Sequence, residues 1–71
     1  MNFMPVHGSS NIESYGYDPT TQTLAIRFHS GREYHHSNVP PETFKALQAS
    51  TSRGSYYEKM VKRMYVGARI K

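Results

Sequence analysis

The 71-residue sequence contains no cysteine and no tryptophan, and its five acidic residues are outnumbered by nine lysines and arginines. Because cysteine is absent, the chain has no disulfides and no thiolate metal ligands, and its stability must come from apolar packing. No apolar run approaches the roughly 20 residues that a membrane-spanning helix requires, and segment 1–4 is too short for a signal peptide. We therefore expect one small cytoplasmic domain, without membrane contact and with little room for a catalytic pocket.

The basic residues are concentrated near the C-terminus. Seven of the nine lie in the last 27 positions, where Glu58 is the only acidic residue. This uneven distribution of positive charge is typical of a domain that binds an acidic partner, either nucleic acid or an acidic protein surface. The alternative is a helix face that is merely solvated, and the pattern leaves both interpretations open.

Alternation of apolar and polar residues over 23–28 predicts a strand that enters a hairpin. A three-residue loop would pair Phe28 with Tyr34. It would also pair Ile26 with His36, so that the apolar residues share one face, which a two-residue loop would not allow. We take the three-residue register. The residues that alternate with the inward pair are expected to face water: Glu33 and His35.

Segment 12–18 predicts the first strand of the sheet, because it is rich in aromatic and β-branched residues and ends before a proline turn. Ile12 and Tyr17 have opposite parity in this segment. Both reach the core only if the strand contains a bulge, for which Gly16 is the natural place. The preceding residues, 1–11, predict an irregular arm.

Two helices are predicted after the sheet. Pro40 and Pro41 suit the start of a helix, which is predicted from Glu42 to Ser50. Ser55-x-x-Glu58 is typical of a capping box, and it predicts the start of the second helix. The apolar stripe of that helix is expected in the core: Tyr57, Met60, Val61, Met64 and Tyr65.

These patterns together predict an α+β fold in a single domain, residues 1–71. About three antiparallel strands occupy residues 12–36, and two helices in residues 40–66 pack on one face of the sheet. A basic tail, 67–71, completes the chain.

The basic side of the second helix and the tail form the first candidate binding surface. Its members are Arg53, Tyr56, Lys59, Lys62, Arg63, Arg69 and Lys71. A second candidate lies on the sheet face that the helices leave uncovered, and it contains Tyr15, Arg27 and His35. Its layout is similar to sheets that stack nucleic-acid bases. Aromatic residues on exposed strands also stabilise a sheet through cross-strand pairs, without any ligand. We favour that interpretation for the second group.

Neither a metal site nor a catalytic site is predicted. His35 and His36 are adjacent on a strand, so they point to opposite faces and cannot bind one ion together. The carboxylates are scattered along the sequence, and Ser9 and Ser10 lack a recognisable base. We therefore expect a monomeric binding protein with no metal, no cofactor and no enzymatic activity.

Several short motifs occur in the order that is known from one protein family. They are Ser9-Ser10-x-Ile12, Tyr17-Asp18, Leu24-x-Ile26-x-Phe28-x-Ser30-Gly31, Tyr34-x-His36, Val39-Pro40 and Ser52-x-Gly54-x-x-Tyr57. The ordered set, over about residues 6–65, resembles the KTSC domain, which is known from the C-terminus of some lysyl-tRNA synthetases and from small free-standing bacterial and phage proteins. That family usually carries Tyr-x-Tyr where this chain has His36, so a role of the second tyrosine would not carry over.

The resemblance implies two functions from different classes. The chain also resembles a small phage-encoded regulator of host RNA polymerase, which binds near the β′ N-terminus of the polymerase, displaces σ factor and acts in antitermination. This implies a non-enzymatic transcription regulator whose partner is bacterial RNA polymerase and whose binding inhibits initiation. The alternative, implied by the synthetase members, is an accessory domain that binds RNA.

Overall fold

Five antiparallel strands, each beside its sequence neighbour, form the sheet in the computed structural model, which describes all 71 residues. The elements are β1 (Phe3–Pro5), β2 (Ile12–Asp18), β3 (Thr23–Phe28), β4 (Glu33–His36), α1 (Pro41–Ala49), α2 (Arg53–Tyr56), a π-helical segment (Tyr57–Val61) and β5 (Gly67–Arg69). The predicted α+β class is confirmed. None of the helices is long and apolar enough to cross a membrane.

The prediction of about three strands is wrong because both edges of the sheet carry an additional short strand. The expected irregular arm contains β1, in which Phe3 pairs with Gly16. The expected basic tail contains β5, in which Arg69 pairs with Tyr34. Each edge strand has only three residues. Such a strand is too short to show alternation, and Pro5 is tolerated in β1 because an edge strand need not donate on both sides.

The hairpin between β3 and β4 keeps the predicted parity but not the predicted register. Ile26 pairs with Tyr34 instead of His36, and Leu24 pairs with His36. The Phe28 amide donates to the Arg32 carbonyl at 2.9 Å, which closes the loop one residue earlier than predicted. As a result Tyr34 and His36 do lie on the core side, as the alternation required.

A bulge brings Ile12 and Tyr17 to one face of β2, as predicted, but it lies at Glu13. Ile12 pairs with Phe28 and Ser14 pairs with Arg27, so Glu13 is the additional residue. Gly16 serves close packing instead, since a Cβ atom there would lie 2.9 Å from the Asn2 carbonyl oxygen.

The first helix begins at Pro41, where a proline needs no amide partner, and its boundaries agree with the prediction to within one residue. The predicted capping box at Ser55 is wrong. The second helix begins earlier, at Arg53, and Ser52 at its start makes no side-chain capping bond. From Tyr57 the chain widens into the π-helical segment, where the Lys62 amide donates to the Tyr57 carbonyl at 2.9 Å.

The wider turn changes which side chains face the core. Tyr57 and Val61 are buried, and Tyr65 packs against the core. Met60 is 43% exposed and Met64 is 62% exposed, so their predicted burial is wrong. Hydrogen bonds in a π-helix join residues five apart, so its turn is wider than that of an α-helix. Tyr57, Val61 and Tyr65, which are spaced by four, therefore stay on the core side, and the methionines turn outward.

The core lies between the sheet and the helices. Its fully buried side chains are Ile12, Leu24, Ile26, Val39, Leu47 and Val61. Aromatic residues close its ends. Tyr17 stacks on Phe44 with ring centroids 4.5 Å apart, and its hydroxyl donates to the Val39 carbonyl.

Candidate functional site

The structure does not place Tyr15 on the uncovered sheet face. Tyr15 is 4% exposed and lies on the helix side, with its ring centroid 5.8 Å from that of Phe44. Because the bulge is at Glu13 and not at Gly16, Tyr15 has the same parity as Tyr17 and points into the core. Its predicted exposure is therefore wrong.

Arg27 and His35 do lie on the uncovered face, where both bind one carboxylate. Arg27 Nε lies 2.8 Å from Glu33 Oε1, and His35 Nε2 lies 2.7 Å from Glu33 Oε2. The hydrogen bond from Arg27, followed by that from His35, lowers the pKa of Glu33. Phe3 covers the Arg27 guanidinium, whose carbon is 3.6 Å from the ring centroid.

This cluster overturns the predicted exposure of Glu33, which is 6% exposed. A buried carboxylate requires partners, and Arg27 and His35 supply them. At the centre of the uncovered face, the Glu33 carboxylate is thus already paired with side chains of the same chain. The predicted role of Arg27 and His35 in binding a partner stays a prediction, and both side chains already bind Glu33.

Arg53 has a structural contact as well as a predicted binding role. Its Nη2 donates to the Gln48 carbonyl at 2.9 Å and so joins the start of α2 to the end of α1. Its Nε is buried and has no hydrogen-bond partner. Tyr56 is half-buried and packs against the core cluster.

The remaining predicted cations are exposed, namely Lys59, Lys62, Arg63, Arg69 and Lys71. Lys62 Nζ lies 3.4 Å from Glu58 Oε2, and an exposed pair of this kind contributes little to stability. No carboxylate is paired with Lys59 or Arg63. The helical part of the predicted basic surface is therefore largely uncompensated.

Beside these cations lies a cleft made of two adjoining hollows. The aromatic hollow, of about 510 Å³, lies between the β3–β4 hairpin and the π-helical segment. The serine hollow, of about 320 Å³, lies between the loop at 7–11 and the start of α2. Both are lined by Ser10, Asn11 and Glu58, so they adjoin at these residues, and we refer to the two together as the cleft.

Local hydrogen bonds shape the loop that separates the two hollows. The Ser9 hydroxyl oxygen accepts the Ile12 amide hydrogen at 3.0 Å, a bond typical of serine turns. The His29 amide donates to the Asn11 carbonyl at 2.9 Å and attaches the hairpin to this loop. At Gly54, a Cβ atom would lie 3.4 Å from the Ser9 hydroxyl, so the loop also packs closely on α2.

A histidine–tyrosine pair forms the floor of the aromatic hollow. His36 Nδ1 lies 3.3 Å from the Tyr65 carbonyl oxygen, and His36 Nε2 lies 2.8 Å from the Tyr57 hydroxyl oxygen. Because a carbonyl only accepts, Nδ1 carries the hydrogen and Nε2 accepts the Tyr57 hydroxyl hydrogen. Burial lowers the pKa of His36 and so favours the neutral imidazole, and burial raises the pKa of Tyr57 to about 12.

Strand β5 covers this pair from one side. A Cβ atom at Gly67 would lie 2.6 Å from His36 Cε1, so the strand passes over the imidazole where only glycine fits. Phe28 completes the aromatic wall, with its centroid 5.9 Å from that of Tyr34 and 5.7 Å from that of Tyr57.

The cleft has a cationic lining. It includes four lysines and arginines, Arg32, Arg53, Lys59 and Lys62, whereas Glu58 is the sole carboxylate in either hollow. Three of these cations belong to the sequence prediction. Arg32 was missed, because an isolated base in a hairpin loop gives no periodic signal.

Residues from several of the ordered sequence motifs line the cleft. Ser9, Ser10, Ser52 and Gly54 line the serine hollow, and Tyr34, His36 and Tyr57 line the aromatic hollow. The sequence profile of the KTSC domain matches residues 8–65 of the chain. The chain belongs to the KTSC domain family.

Relatives in sequence and structure agree with this assignment. A protein from Tsukamurella paurometabola is 48% identical over 54 residues, which cover 76% of this chain and 81% of that protein. The lysine–tRNA ligase of Nostoc sp. is 42% identical over 53 residues, which cover 75% of this chain and 9% of the ligase. The crystal structure of a KTSC domain protein from Yersinia pestis superposes with a TM-score of 0.89 at 30% identity, covering 99% of this chain and 97% of that one.

These comparisons define the family and the fold. The KTSC domain here corresponds to only 9% of the length of the lysine–tRNA ligase, whose activity belongs to the whole enzyme. None of these relatives is described as a phage protein or a regulator of RNA polymerase. The predicted polymerase partner therefore stays a prediction.

Proposed function

We propose that this KTSC domain is a non-enzymatic binding domain that holds a segment of single-stranded RNA in its cleft. The observation that carries the proposal is the combination of an aromatic wall, Phe28 and Tyr34, with a cationic lining in two adjoining hollows. Aromatic side chains stack unpaired bases, and lysines and arginines neutralise phosphates. The bacterial cytoplasm is where such a partner would be met.

Two further observations support an RNA ligand. Lys59 and Lys62 line the two hollows, and Arg63 is exposed beside Lys62, so the helical cations extend the charge along the cleft. In addition, several relatives are lysine–tRNA ligases, enzymes whose name gives tRNA as a substrate. A domain carried by such enzymes is suited to RNA contact.

The test is the salt dependence of binding to a short fluorescent single-stranded RNA. If phosphates are contacted, log Kd should change linearly with log salt, with a slope of about 0.7 per phosphate neutralised. A variant with Lys59, Lys62 and Arg63 replaced by alanine should bind more weakly and lose roughly two units of that slope. Lys45→Ala, which removes an exposed lysine of α1, is the matched control. An unchanged slope in the triple variant would contradict the proposal.

A second candidate function is regulation of bacterial RNA polymerase. The observation that favours it is the exposure of Met60 and Met64 among cations, because flexible methionines at a surface suit contact with a protein partner. The mechanism would be steric: the domain would occupy a surface near the β′ N-terminus, displace σ factor and so inhibit initiation, and the same attachment would serve antitermination.

The two candidates are distinguished by pull-down with purified polymerase core enzyme after nuclease treatment. Retention that is lost when Met60 and Met64 are replaced by serine, but kept in Lys45→Ala, would support the polymerase. Retention that disappears with nuclease treatment alone would assign the contact to nucleic acid.

A further inference from the structure

The aromatic hollow has a floor whose hydrogen-bonding character is fixed. The Tyr57 hydroxyl hydrogen is committed to His36 Nε2 at 2.8 Å, and the other imidazole nitrogen is committed to the Tyr65 carbonyl. The Tyr57 oxygen can therefore only accept a hydrogen bond from a ligand. A ligand seated on this floor must offer a donor, such as a hydroxyl group.

The wall and the rim of the hollow add two further requirements. Phe28 and Tyr34 stand edge to face, at an interplanar angle of 85°, and present apolar surface to a planar ring. Arg32 and Lys62 line the same hollow and outnumber its one carboxylate, Glu58, which lies 3.4 Å from Lys62 Nζ, so the lining favours an anionic group. The hollow, at about 510 Å³, lies within the usual range of small-molecule sites.

A ring, an anion and a hydroxyl donor occur together in a ribonucleotide. We propose that the aromatic hollow is a ribonucleotide subsite, with the base against Phe28 and Tyr34, the phosphate at Arg32 and Lys62, and the ribose 2′-hydroxyl donating to the Tyr57 oxygen. This inference rests on the proposed RNA binding and specifies which part of the strand is read. It predicts a preference for RNA over DNA that a purely cationic groove would lack.

Binding of AMP and dAMP to the intact chain, followed by NMR titration, tests the sugar contact directly. AMP should bind about three- to tenfold more tightly than dAMP, as is typical for one net hydrogen bond. The same preference should appear between matched RNA and DNA oligonucleotides at constant salt. Shifts of the Phe28 and Tyr34 ring signals would place the base on the expected wall.

Tyr57→Phe removes the acceptor and keeps the ring, so it should abolish the preference for AMP over dAMP. Tyr65→Phe is the matched control, because the Tyr65 hydroxyl lies 3.1 Å from Thr43 Oγ1 and does not line the hollow. Should Tyr57→Phe fold poorly, Arg32→Ala on the exposed hairpin provides an independent test. It should weaken AMP and dAMP equally, whereas Lys45→Ala should change neither.

The outcomes separate the subsite from the general proposal. If RNA binds but AMP does not, or if AMP and dAMP bind equally, the subsite is overturned. RNA binding by the cleft would still stand. If AMP binds with the expected preference but oligonucleotides do not bind, the result supports the hollow as a site for a free ribonucleotide. The same result overturns RNA binding by the cleft. Ring shifts confined to residues outside the hollow also overturn the subsite.

Discussion

Replacing Gly67 with alanine tests the packing of β5 over the floor of the aromatic hollow. The new Cβ atom would lie 2.6 Å from His36 Cε1 and 2.7 Å from His36 Nδ1, well inside contact distance. The imidazole cannot simply rotate away, because its two nitrogens are bonded to Tyr57 and Tyr65. Either β5 separates from β4 or the histidine loses its hydrogen bonds.

The magnitude follows from this overpacking. Inserting a methyl group into a closely packed site costs about 1–3 kcal/mol, and in a domain of this size each kcal/mol lowers Tm by about 4–8 °C. We expect the free energy of unfolding, measured by urea titration, to fall by that amount. Gly54→Ala is the control, since its Cβ would meet only the Ser9 hydroxyl at 3.4 Å and alanine favours a helix.

A double-mutant cycle identifies the clash as the cause. When His36→Ala has already removed the ring, Gly67→Ala should cost almost nothing, so the two substitutions should be strongly non-additive. If Gly67→Ala destabilises the chain equally with and without the imidazole, the cost comes from the backbone of β5. If it leaves the wild-type Tm unchanged, β5 does not lie over His36 at all.

Three further results are expected. Leu24→Ala, at a fully buried position, should cost about 2–5 kcal/mol in urea unfolding, and a fully stable variant would refute the placement of Leu24 in the core. Burial lowers the pKa of His36 below its usual 6.5, so the unfolded chain takes up the proton more readily. Stability should therefore fall as pH drops below 6.5, and His36→Gln should abolish that slope in urea titrations at pH values above the range in which Glu33 takes up a proton. Alanine at Lys59, Lys62 and Arg63 together should leave Tm nearly unchanged, since all three are exposed.

The central strands and the first helix were predictable because each has a long periodic pattern. Leu24 and Ile26 alternate with residues of the opposite face, and the same alternation continues in β4. It determines which face of the hairpin meets the helices in both the predicted and the observed register. The edge strands lack any such pattern. Pro5 and Gly67 are residues that usually argue against a strand, and here both lie in three-residue strands at the edges.

Errors within predicted elements have local physical causes. The position of one bulge decides the parity of Tyr15, and a shift from Gly16 to Glu13 moves that ring from solvent to the core. Glu33 was expected in water because a carboxylate is rarely buried. Its burial depends on Arg27, which lies directly across the hairpin, and on His35, and this pairing follows from the observed register, which differs from the predicted one.

The cleft was predictable only in part. The motifs mark many of its lining residues, but they are distant in sequence, and only the fold brings Ser10, Tyr34 and Tyr57 to one site. The basic helix face pointed to Lys59 and Lys62. The hydrogen-bond chain through His36 gives no sequence signal, because its partners are the hydroxyl of Tyr57 and a backbone carbonyl.

The π-helical segment links the stability of the core to the composition of the cleft. In a regular α-helix, the stripe that includes Tyr57 and Val61 would also bury Met60 and Met64. The wider turn keeps Tyr57 and Val61 inward, one at the floor of the hollow and one in the core, and releases both methionines to the surface. It also places Lys62 in the lining of the hollow. Because π-helical turns are rare and occur frequently at functional sites, we interpret this one as the feature that brings a polar floor, a cationic rim and two exposed methionines together within residues 57–64.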